Sequence, residues 1–353
     1  MIRSNPTLSM DAWTASSLLQ KAIRRGEDEY AAAAAIALFH MRGQHIWKRL
    51  TLIAFEDIGL ANTEVCIEVT SLAQDQSLRR HSPEVGAITS IVKKMSDAAK
   101  NREADYLICS AKQGAVAESI RSDVGKRSVA ERIQMAGCED LPLLTRSVAA
   151  WMASGINGGG PAILSDGDLA GLLHHFVELG LEREFASSVV AATRLSKEPI
   201  VLLTALLSLS IWQQGVQTSI VEETAPPSVL CNGIPSWVFD KHTRIGKLAI
   251  RQLLRENRNV RERIGDFVPE FRALDVAAMS AFYADAVAMR HRCKWEQSDV
   301  LFELGVRTDM TKIGTPNVGV VPIVSILREN LDHLNDIRRR IRESQATSLR
   351  AHG

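Results

Sequence analysis

Residues 16–64 read SSLLQKAIRRGEDEYAAAAAIALFHMRGQHIWKRLTLIAFEDIGLANTE, and their punctuation is helical throughout. Ser17, with Gln20 three positions on, has the form of a capping box; Leu18, Leu19, Ala22 and Ile23 follow at helical spacing, and Gly26 suits the exit. Asp28 is placed to cap a second helix, EYAAAAAIALFHMR, closed by Gly43. Its alanine run joins high helix propensity to side chains small enough for close helix contact. A third helix is predicted from His45 to Ile58 with its stop at Gly59, and Asn62 caps a fourth.

Outward from this stretch the pattern persists. Ser82-Pro83 is a start signal, because proline at the first helical position loses only an amide that would be orphaned anyway. Helices are predicted over 83–100, 102–118 and 125–136. Period-2 alternation is nearly absent and only 5% of residues are aromatic, so the expected class is all-α. Two stretches interrupt the pattern: SGINGGGPAILSDGD (154–168), the richest in glycine, and EETAPPSVLCNGIPSW (222–237), with its three prolines. The expected organisation is a helical domain over 1–154, a linker over 155–168, and a second helical domain over 169–350, whose centre is the apolar segment PIVLLTALLSLSIW (199–212).

The 353 residues carry 42 basic and 41 acidic side chains, a formal charge of +1, so affinity for nucleic acid or an anionic membrane has to come from local clustering. Five widely spaced cysteines with no Cys-x-x-Cys pair argue against a disulfide framework and a zinc ribbon, and fit a reducing cytoplasm. The N-terminus lacks the apolar core of a signal peptide, and 199–212 falls short of the roughly 18 residues that span a bilayer.

Glu56 and Asp57 end an apolar run, just before Gly59. Carboxylates in a last helical turn oppose the helix dipole by a few tenths to about 1 kcal/mol, so cationic partners are expected: Lys48 and Arg49 on the same helix, or the cations of a neighbour. No histidine, nucleophile or metal-ligand set lies at a recognisable spacing from the pair, which favours a structural ion pair over catalysis.

The same residues carry a resemblance. Ser17, Leu19, Lys21, Ala22, Ile23 and Arg24, then Arg49 and Leu50, then Ala54, Glu56, Asp57, Ile58, Gly59, Leu60, Ala61 and Asn62 match the segment that follows the ATPase core in the replication-associated recombination proteins, the MgsA family of clamp-loader-like AAA+ ATPases. The chain resembles that family over about 50 residues. The resemblance implies a helical array of the clamp-loader collar type, homo-oligomers (tetramers in the family), and work on single-stranded or forked DNA. Here only 15 residues precede the segment, and no G-x-x-x-x-G-K-[ST] loop occurs: Gly125-Lys126 is followed by Arg127, and Gly246-Lys247 by Leu248. The implication is a non-enzymatic accessory protein, without a cofactor of its own, that docks on a separately encoded AAA+ ATPase.

The strongest charge pattern lies in DKHTRIGKLAIRQLLRENRNVRERIGDF (240–267). On one helix Arg244, Lys247, Arg251, Arg255 and Arg258 fall within about an 80° arc, opposite Ile245, Ala249, Leu253 and Val260. Such a stripe can track phosphates; the competing reading is a solvated face partnered by acids of a neighbouring helix, in a protein-interaction scaffold without nucleic-acid contact. Trp237 and Phe239 just upstream offer either stacking surfaces for unpaired bases or core. Arg121, Lys126, Arg127 and Arg132, and the Arg338–Arg340 run with Arg342, are further basic sets. His174-His175, His291-x-Cys293 and Asp240-x-His242 each lack a third ligand at a known spacing, so no metal site is expected.

Overall fold

The computed structural model describes residues 10–79, 84–157 and 166–351. Among them are nineteen α-helices and only four strands of two or three residues, so the class is all-α. In chain order the helices are α1 (Ala12–Arg25), α2 (Asp28–Arg42), α3 (His45–Ile53), α4 (Thr63–Gln74), α5 (Gln76–Arg79), α6 (Glu84–Asp97), α7 (Glu103–Gln113), α8 (Glu118–Gly125), α9 (Val129–Gly137) and α10 (Leu143–Ser154). They continue with α11 (Leu169–Glu178), α12 (Arg183–Ser196), α13 (Ile200–Gln214), α14 (Arg244–Glu256), α15 (Arg258–Gly265), α16 (Glu270–Ala281), α17 (Ser298–Lys312), α18 (Asn317–Glu329) and α19 (Leu331–Ala351). The strands are β1 (Ser219–Val221), β2 (Leu230–Cys231), β3 (Ile234–Pro235) and β4 (Arg292–Lys294). No single helix among the described residues is long and apolar enough to cross a membrane.

The chain forms two compact units, each assembled from distant segments: 1–43, 223–289 and 309–353 in the first, 44–222 and 290–308 in the second. Residues 16–64 therefore contribute α1 and α2 to the first unit, and α3, α4 and the turns between them to the second. The GGGP core of the stretch expected as a linker, like Ser82-Pro83, lies outside the described residues. Its flanks belong to the second unit, where Gly155 ends α10 in the left-handed region (φ 70°) and Asp168 caps α11.

In the first unit α1 starts earlier than its sequence suggests. The cap is Asp11, whose carboxylate accepts from the Thr14 amide at 2.7 Å, and not Ser17, which lies inside the helix and donates its hydroxyl to the Val238 carbonyl at 2.7 Å. Leu18, Leu19, Ala22 and Ile23 are fully buried, but so nearly are Lys21, Arg24 and Arg25, so α1 is covered almost all round and its cations require internal partners. Lys21 meets Asp240 at 2.9 Å, Arg25 meets Asp285 at 3.0 Å, and Arg24 donates to the Ala286 carbonyl at 2.5 Å. Asp285 sits in a five-residue π-helical turn, Phe282–Ala286, that closes α16, and also receives Arg338 of α19 at 2.6 Å.

Trp237 is 1% exposed beneath the Arg25 guanidinium, 4.9 Å from its carbon to the ring centre, and Phe239 is fully buried. Both are core residues and offer no stacking surface, which overturns that reading of them. The β2–β3 hairpin before them turns on Asn232-Gly233 with φ of 51° and 81°, the left-handed pair that an Asn-Gly hairpin turn requires.

In the second unit the apolar 199–212 segment becomes α13, buried from Ile200 to Leu207, in contact with α7, α10 and α12. The third predicted helix is regular only to Ile53; residues Ala54–Ile58 form a second π-helical turn. Gly59 follows at φ 50°, where a Cβ would stand 3.3 Å from the Thr204 methyl of α13, so both its conformation and its neighbour favour glycine.

Candidate nucleic-acid interface

Helix α14 is started by Thr243, whose hydroxyl accepts from the Gly246 amide at 3.0 Å. Gly246 packs so closely that a Cβ there would lie 1.9 Å from the Asp240 carbonyl oxygen, so the first turn is held against the 240 loop. Ile245, Ala249, Ile250 and Leu253 are buried, and α14 packs against α16 and α19. Its exposed positions are Arg244, Lys247, Arg251, Arg255 and Glu256. The four cations span about 16 Å of helix axis. None of them forms an ion pair with a carboxylate among the described residues.

Glu256, the acid of this helix, is taken up elsewhere. Its carboxylate accepts from Arg340 at 2.6 Å and Gln252 at 2.6 Å, with His333 at 3.2 Å. These hydrogen bonds, Arg340 first, hold the Glu256 carboxyl down to about 2. The positive charge of the face is thus left uncompensated from within its own helix.

Arg258 does not belong to the face. Asn257 ends α14, and its side-chain oxygen accepts from the Val260 amide to start α15; Arg258 is the first residue of that new helix and is bound to Glu262 at 2.6 Å. The helix on which 244–258 form one arc ends at Asn257, one of the two asparagines placed to stop it early, whose side chain competes for backbone amides. The stripe therefore has four members. The other basic sets are also engaged: Arg121 and Arg132 donate to main-chain carbonyls, Lys126 faces Asp123, and Arg127 faces Glu131. Arg338 is buried on Asp285, Arg339 meets Asp336, and Arg340 meets Glu256.

The acid pair of the second unit proves to be a clamp. Arg102, which precedes α7, places Nη1 3.0 Å from Glu56 and 2.5 Å from Asp57, and Nη2 2.5 Å from Asp105. Arg102 is 2% exposed and Asp57 is fully buried. Burial alone would lower the guanidinium; Asp57, Asp105 and Glu56 drive it well above its ordinary value, so it stays charged. The cation that serves both carboxylates comes from a neighbouring element, while Lys48 is exposed on α3, Arg49 is half-buried, and Gly59 closes the turn. Glu56 and Asp105 edge a cleft of about 190 Å³, with Arg102 binding both.

Sequence reasoning did not single out Arg102 or Asp285. The available signal for Arg102 was a charged run, Lys100-Asn101-Arg102-Glu103, at a predicted helix start. For Asp285 it was an aspartate inside an otherwise small and apolar stretch, AFYADAVAM. No group of three histidine, cysteine or carboxylate side chains among the described residues is arranged to hold a metal ion. His174 and His175 both lie near Glu178. Compared with protein-family models, curated proteins and solved structures, the chain matches none.

Proposed function

We propose that this chain is a non-enzymatic DNA-binding accessory protein of replication, recombination or repair, which holds DNA through the cationic face of α14. One observation carries the reading: the exposed positions of α14 are Arg244, Lys247, Arg251 and Arg255, unpaired by any described carboxylate, plus a glutamate already neutralised by Arg340. Four like charges on one helix repel one another, and a polyanion relieves that repulsion while releasing its condensed counterions. The competing scaffold reading pairs the stripe with carboxylates of a neighbouring helix or of another subunit; among the described residues Arg258 has a carboxylate partner and the other four have none. The resemblance of 16–64 supplies the setting of DNA processing, together with self-association and docking on a separately encoded AAA+ ATPase.

A fluorescence-anisotropy titration of the full chain against labelled forked DNA at several salt concentrations tests the reading. Four phosphate contacts give a slope of log affinity on log salt of about −3.6, a loss on the order of 100-fold between 50 and 200 mM salt. Arg251→Glu with Arg255→Glu should abolish binding. Binding that is absent, insensitive to salt or indifferent to the double reversal overturns it.

A further inference from the structure

We infer that the α14 face grips the phosphate backbone of a double helix, without reading base sequence and in preference to a single strand. This rests on the DNA-binding reading above and specifies its ligand.

Base readout needs hydrogen-bonding side chains carried to base edges on an element that enters a groove. The arginines of α14 have the donors to read guanine, but the helix does not carry them into a groove and offers no amide side chain free to read adenine. Its neutral polar side chain beyond the cap, Gln252, donates to Glu256, and Glu256 is held by Arg340 and His333. Thr243 is spent on the Gly246 amide. The helix is seated too deep to penetrate: Ile245, Gly246, Ala249, Ile250 and Leu253 are buried, Leu248, Gln252 and Leu254 are half-buried, and only the four cations and the Arg340-bound Glu256 stand in solvent. A helix embedded over most of its circumference lies across phosphates and does not fill a major groove about 12 Å wide.

Single-strand binding, in turn, rests on aromatic platforms that stack unpaired bases. The exposed face of α14 carries no aromatic residue, and Trp237 and Phe239, the nearest upstream, are in the core. What remains is electrostatics, and there the duplex prevails. It has twice the axial charge density of one strand and yields about 0.9 of a counterion per neutralised phosphate, against about 0.7. A rigid helix bearing cations at fixed three- and four-residue intervals also gains more from a stiff, regular phosphate array than from a flexible one.

The test uses the full chain with three fluorescein-labelled ligands at 50 to 200 mM salt: two 20-bp DNA duplexes, one rich in A·T and one in G·C, and a mixed-sequence single strand of 20 nucleotides. The expected result is duplex affinities within about two-fold of each other, single-strand affinity at least about five-fold weaker, and equal loss on both duplexes in Arg251→Gln. A ten-fold preference between duplexes, or a single strand bound as tightly as a duplex, overturns this inference and leaves DNA binding by α14 standing. Failure to bind any of the three overturns the parent reading along with it.

Discussion

Arg338 donates to Asp285 at 2.6 Å with both side chains withdrawn from solvent, one on the long last helix and the other in the π-helical turn that closes α16. Arg25 reaches the same carboxylate from α1, so one aspartate ties three segments of the first unit. Asp285→Asn would leave two buried guanidinium groups facing a neutral amide. The expected loss is about 3–5 kcal/mol of unfolding free energy, read from the urea midpoint. A midpoint unchanged from the parent would show the network to be incidental.

The clamp in the second unit gives a parallel expectation with a finer control. Arg102→Met takes the guanidinium away from Asp57, which is fully buried, and should cost about 3–5 kcal/mol. Arg102→Lys keeps the charge but loses the planar fork that serves Glu56, Asp57 and Asp105 together, so it should fall between the two. DNA affinity of the folded variants should match the parent, since these residues belong to a different unit from α14.

On α14 the positions divide sharply. Arg251→Gln should reduce the salt slope of DNA binding by about 1, the signature of one lost phosphate contact. Arg258→Gln, whose parent side chain is already bound to Glu262 on α15, should leave slope and affinity within two-fold. Equal effects at the two positions would mean that α14 is not the separate face described above.

Acid stability should report the link between α14 and α19. The Glu256 carboxyl is held at about 2 against an ordinary 4.5, with Arg340, Gln252 and His333 as donors. A carboxyl lowered in the folded state stabilises above its unfolded value, and that contribution is lost as pH falls through the folded one. Stability should therefore drop between pH 4.5 and about 2, and Glu256→Gln should make that drop smaller, with Asp240, also lowered by Lys21, among the groups that keep the remainder. Urea midpoints taken across that interval measure it.

Gly246→Ala adds a Cβ at 1.9 Å from the Asp240 carbonyl oxygen, which is backbone and cannot swing aside. A loss of at least about 2–3 kcal/mol is expected, with the start of α14 displaced. Circular dichroism melts give the first quantity; the salt slope of DNA binding, reduced by loss of Arg244 and Lys247 from the face, gives the second.

Much of this architecture could be read from residue order alone. Gly26, Gly43 and Gly59 end helices where their spacing predicts, Asn62 caps α4, and the run after Pro199 is the buried α13. What escaped has a common physical cause. Ser17-x-x-Gln20 has the spacing of a cap, yet the helix had already begun at Ala12, because a capping box marks a start only where the preceding backbone is extended. Periodicity also treats Lys21, Arg24 and Arg25 as an outer face; they are buried because Asp240, Asp285 and the Ala286 carbonyl arrive from more than 200 residues away. The cationic arc of α14 was legible since amphipathicity is local, and so was Asn257 as a stop, whereas the loss of Arg258 to Glu262 depended on the new helix that Asn257 starts.

The distance along the chain between Lys21 and its acceptors matters before the protein is ever complete. Its ammonium group donates to a carbonyl 217 residues downstream, and Arg25 to a carboxylate 260 residues downstream. At ribosomal speeds of about 5–20 residues per second, α1 emerges at least ten seconds or so ahead of the groups that neutralise it. For that interval the nascent chain carries three cations beside a greasy stripe with their acceptors still unmade, so the second unit, complete but for 290–308, has nearly all of its chain before the first does.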